Sequence, residues 1–153
     1  MAIRGVDRSE GLGQEVTEAD RRLLTNLRRL LLQLHRTLLD WERAAHERVH
    51  GRSSSHGLLL AILHDDRFAW LRPMSALIVR IDEWLADEGP ETSIDVKGLL
   101  EQARLLVAPD EQGTPYARRY FTALQEHPDA ILAHRDLMTL LKSHDGPPSR
   151  RRV

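Results

Sequence analysis

The fold turns on residues His64–Leu85, HDDRFAWLRPMSALIVRIDEWL. Trp70, Leu77 and Trp84 recur at seven-residue steps, Leu71, Ile78 and Leu85 repeat the step one place later, and Met74 and Ile81 fill the turn between. At about 100° per residue these eight positions make one apolar face, wider than the minimal amphipathic stripe. A helix this apolar needs neighbours on two sides, which predicts a central helix in a bundle. Pro73 interrupts it, and must either kink the helix or mark its true start. On the opposite edge Arg80 and Glu83 are spaced to pair.

Upstream, Thr17 can N-cap a helix, with Glu18 and Asp20 in its positive first turn. Nothing breaks the run from there to His50. Leu23, Leu27, Leu30, Leu34, Leu38, Trp41, Ala45 and Val49 step by three and four. A helix of that length measures about 50 Å, whereas a compact domain of this size is about 40 Å across. Either the bundle is elongated or one end projects towards a partner. Gly51 supplies the stop, and a further helical run lies near Ser55–His64. Downstream, Thr92 or Ser93 is placed to cap a helix that Pro109 ends. Thr114-Pro115 opens another, and Pro128 either starts a last helix or kinks the one before. No window alternates like a strand.

The expectation is an all-α fold, an antiparallel bundle of about five to six helices around a central kinked helix. Residues 1–16 read as a flexible arm, 17–142 as a single helical domain, and 143–153 as a disordered basic tail. The segments FAWLRPMSALIVRIDEWL and TPYARRY resemble those of uncharacterised bacterial helical proteins, a resemblance that implies an all-α fold and no particular activity.

The chain has 153 residues, enough to bury roughly two-thirds of its unfolded surface without staples. It has no cysteine, which excludes disulfides, thiolate metal sites and cysteine nucleophiles, and suits a cytoplasmic setting. The first sixteen residues lack the apolar core of a signal peptide. Arg28, Arg29, His35 and Arg36 break the leucine-rich run, so no membrane span is expected. A net charge of −1 supplies no global attraction to nucleic acid or anionic lipid.

One motif carries possible chemistry. His46-Glu47-Arg48-Val49-His50 is an H-E-x-x-H, and His56 follows six residues later. Histidines at i and i+4 share a helix face and can both ligate Zn²⁺, with the intervening glutamate as base on a metal-bound water. The spacing is similar to that of metzincin metalloproteases, with Ser53 where that family has Gly. The resemblance implies His46, His50 and His56 as ligands and Glu47 as base. Against it, the family aligns its substrate on a sheet edge, and no strand is expected here. Eight histidines in one chain also make such a spacing easy to reach by accident. The leading expectation is therefore a non-enzymatic helical module with no cofactor, binding a protein partner or a second copy through the first long helix. The alternative is a zinc-dependent hydrolase.

Overall fold

The computed structural model describes residues 17–51, 54–86 and 95–145. Among them are seven helices and no strand: α1 (Glu18–His50), α2 (Ser55–His64), α3 (Asp66–Ala69), α4 (Arg72–Ala86), α5 (Val96–Leu106), α6 (Pro115–Glu126) and α7 (Pro128–Lys142). The fold is all-α.

The organising element is α1 rather than the 64–85 stretch. The α1 helix opens on a capping box: the Asp20 N–H donates to Thr17 Oγ1 at 3.0 Å, and the Thr17 N–H donates back to Asp20 Oδ2. It closes at Gly51, whose φ of 82° and ψ of 174° lie in a region that belongs almost solely to glycine. Between these ends Leu24, Leu27, Leu31, Leu34, Leu38, Trp41 and His46 form one buried stripe. Its principal neighbours are α7 and α4. The core gathers around it: Met74, Leu77, Ile78, Ile81 and Trp84 from α4, Leu99, Leu100 and Ala103 from α5, Tyr120 and Ala123 from α6, and Ala130, Ala133, Leu137 and Leu141 from α7.

The 64–85 stretch is two helices, not one kinked helix. A turn at Trp70–Leu71 separates α3 from α4, and Pro73 lies in the first turn of α4, where its missing N–H has no intrahelical partner to lose. Trp84 is buried, while Trp70 is half-buried at the turn. Arg80 donates to Gln102 on α5 at 2.6 Å instead of pairing with Glu83. Pro128 starts α7, with the single residue His127 separating it from α6. Asp95 caps α5 by accepting the Gly98 N–H; the expected caps Thr92 and Ser93 lie outside the described residues. Ser143–Asp145, read from the sequence as the start of a loose tail, form a turn held by Arg104, which reaches Asp145 Oδ1 at 2.7 Å and the Leu141 carbonyl at 3.2 Å. Residues 1–16 and 146–153 lie outside the described residues.

Candidate functional site

The last three turns of α1 hold most of the molecule's unusual chemistry. One step after Trp41, on the buried stripe, stands Glu42, with no solvent exposure. Burying a lone carboxylate costs several kcal/mol, so each oxygen needs donors. Arg119 on α6 supplies two: Nε to Oε2 at 2.8 Å and Nη2 to Oε1 at 2.9 Å. The indole N–H of Trp70 adds a third, to Oε2 at 2.6 Å. The same guanidinium lies 4.4 Å from the centre of the Trp41 ring, and Trp41 Nε1 donates to Glu126 Oε1 at 3.1 Å. Trp41 meets Trp70 edge-on at 6.5 Å, and Trp70 meets Tyr116 at 5.3 Å. This node ties α1, the α3–α4 turn and α6 together. Both carboxylate oxygens are engaged, Oε2 by two donors and Oε1 by one, and the side chain is shut off from solvent, so the cluster works as a fastener.

The H-E-x-x-H segment lies one turn further on. His46 is buried against Phe68, and its Nδ1 has no hydrogen-bond partner, the closest acid being Asp65 Oδ2 at 3.9 Å. His50, exposed, lies beside it with ring centres 4.5 Å apart and the rings tilted by 39°. Glu47 is half-buried beside them, and His56 stands exposed in the first turn of α2. The fold thus brings His46 and His50 together, but among the described residues no three His, Asp or Glu side chains are arranged to hold one ion. Asp65 is committed to capping α3, its Oδ1 accepting the Arg67 N–H at 2.9 Å.

His35, three turns before His46, meets Ser75 of α4: the Ser75 Oγ and His35 Nε2 are 2.8 Å apart. Burial holds the His35 pKa below its ordinary value. The pair has the first two members of a nucleophile–base arrangement. Among the described residues no carboxylate orients the ring, and the hydroxyl also lies 3.3 Å from the Leu71 carbonyl of its own helix. It reads as a polar tie between α1 and α4. Tyr120 and His134 form a second such tie at 2.6 Å between α6 and α7. Burial pushes the phenols of Tyr116 and Tyr120 above their ordinary range, which leaves them hydroxyl donors. A cleft of about 340 Å³ between α4 and α5 is lined mainly by apolar side chains such as Pro73, Ala76 and Leu105.

Among the described residues, three of the exposed large hydrophobic side chains fall together on α2. Its sequence, SHGLLLAILH, is apolar on every side, yet none of its residues is buried. Gly57, Leu58, Ala61 and Ile62 form a half-buried inward face, and the outward face presents Leu59, Leu60 and Leu63, 52%, 44% and 53% exposed. Leu63 and Asp65 anchor its end: the Leu63 carbonyl accepts from Arg72, and Asp65 caps α3. An apolar helix of a globular chain is ordinarily covered.

Sequence reasoning reached the histidine motif but passed over Glu42, Arg119 and the leucines of α2. The signal for Glu42 was available: a carboxylate next to Trp41 and four residues after Leu38 falls on a core position, where a charge demands a partner. The signal for α2 was the absence of any Asp, Glu, Lys or Arg from 54 to 64. No helix among the described residues is long and apolar enough to cross a membrane. Comparison of the chain with protein-family models, with curated proteins and with solved structures found no match.

Proposed function

We propose that this chain is a non-enzymatic helical interaction module whose docking surface is the outward face of α2, continued by the last turn of α1. The observation that carries the reading is a leucine-rich helix, free of Asp, Glu, Lys and Arg, with no buried residue. The contribution of α1 is confined to its end. Its stripe is spent on its own chain as far as His46, and Val49, 66% exposed, is the apolar residue left over. Surfaces of this kind mark protein contacts. The strongest polar clusters are internally satisfied, which favours a scaffold over a reaction centre. The test is a photoreactive benzophenone side chain placed at position 59 or 63 of the full chain. Irradiation is expected to give a covalent protein adduct that disappears when Leu60 is replaced by Gln. No protein adduct from either position would overturn the reading.

A second reading, a zinc-dependent hydrolase, draws on the orphaned His46 Nδ1 beside His50. Two adjacent imidazoles do not make the three-ligand set of a catalytic zinc centre, so the described residues do not fit that group and no step is routed through it. Elemental analysis of purified protein tests it: stoichiometric, chelator-sensitive zinc that raises the melting temperature would put this reading first.

A further inference from the structure

We infer that the occupant of the α2 face is a second copy of this chain, with the two α2 helices antiparallel across a two-fold axis near Leu60; this rests on the interaction-module reading above.

The outward face is a regular stripe. His56, Leu59, Leu60, Leu63 and His64 step by three, one, three and one, the spacing at which two helices interlock at a shallow angle. The stripe is also balanced about Leu60. In an antiparallel pair centred there, Leu60 meets Leu60, Leu59 and Leu63 interleave around it, and His56 of one copy lies opposite His64 of the other. A two-fold contact must be self-complementary, and a patch with formal charge usually fails that demand because like charges meet. Here residues 54–64 hold no Asp, Glu, Lys or Arg. Antiparallel pairing also sets the positive end of each helix dipole beside the negative end of the other.

The alternatives fit less well. A helix lying on a lipid surface carries Lys or Arg along its polar flank, whereas α2 has none and runs directly into Asp65-Asp66. Cover from the rest of the chain would have to come from residues 1–16, 52–53, 87–94 or 146–153. Apart from Met1-Ala2-Ile3, their sequences hold only isolated apolar residues, and none continues into the three-and-four series that would match the leucines of α2. An α2 pair is also small. A ten-residue helix is about 15 Å long, and its contact falls short of the ~800 Å² per partner of a standard interface. The dimer is therefore a weak one, with a dissociation constant in the micromolar range or above.

Sedimentation equilibrium of the full chain from about 5 to about 500 μM brackets such a constant. The expected result is a reversible monomer–dimer equilibrium. Leu60→Glu and Leu60→Arg each place a charge on the axis against its own copy, and each alone is expected to weaken association at least tenfold. Mixing the two variants is expected to restore a dimer, now a heterodimer. Because Leu60 is exposed, both should keep the wild-type helical circular dichroism, which separates loss of contact from loss of fold. A strict monomer at the highest concentration, variants that dimerise as tightly as wild type, or a mixture that stays monomeric would each overturn the two-fold pairing. Sedimentation with anionic phospholipid vesicles by a strictly monomeric chain would overturn it in favour of lipid. The photocrosslink separates the two claims. A monomer that still gives a Leu60-dependent adduct with a different protein refutes the second copy and leaves the module standing, whereas a monomer with no adduct refutes both.

Discussion

Arg119 grips both carboxylate oxygens of Glu42, a wholly buried side chain seventy-seven residues earlier, while its guanidinium lies against Trp41. The pair fixes where α6 meets α1. Removing one partner strands the other: Arg119→Met is expected to cost about 2–4 kcal/mol, at the low side for a buried pair because the Arg119 side chain is still partly exposed. Glu42→Leu with Arg119→Met should recover much of that loss by replacing the charges with apolar volume. Urea denaturation of both variants checks this, and a double variant as unstable as Arg119→Met would show that the pair contributes more than mutual compensation.

Trp84 closes the far end of the core, with Arg21 5.2 Å from its ring centre and its own Nε1 buried without an acceptor. Trp84→Ala should therefore cost about 3–5 kcal/mol through the cavity it leaves. Trp84→Phe should cost no more than about 1.5 kcal/mol, since the ring is largely replaced and no hydrogen bond is lost. Equal losses in the two variants, read from denaturation midpoints at constant slope, would contradict this account.

Burial lowers the pKa of both His35 and His134 from 6.5. The folded chain thus favours neutral imidazole, and below pH 6.5 the unfolded chain binds more protons than the folded one. Stability from these groups is intact above that value and is lost as pH falls towards their lowered folded-state values. A His35→Gln, His134→Gln variant should lose less stability than wild type between about pH 7.5 and about pH 5.5. Chemical denaturation at both pH values measures the difference; parallel losses would assign the acid sensitivity to other groups.

Gly51 has a backbone conformation that an L side chain adopts only under strain, although a Cβ there would meet nothing within 4 Å. Gly51→Ala should cost about 1–3 kcal/mol through the backbone alone. The expected reading is a lower melting temperature with unchanged helical content. An unaltered melting temperature would mean that the α1–α2 junction relaxes freely.

Helix positions were legible from the chain because the forces that set them act within four residues. The three-and-four stepping of leucines from Leu23 to Leu38, the Thr17 cap, the Gly51 stop and the Thr114-Pro115 start each predict an element end or face that the structure contains. The same local logic found His46 and His50 on one side of α1. It could not say which apolar faces would be used. The 64–85 stretch reads as central because it is apolar, yet α1 holds the centre: only packing decides which of two apolar helices is surrounded. Nor could spacing pair Glu42 with Arg119, since that bond depends on where α6 docks rather than on any local period. The same holds for α2, whose leucines look like core in sequence. Tertiary structure leaves them half-exposed, because the space beside α1 is already filled by α4 and α7.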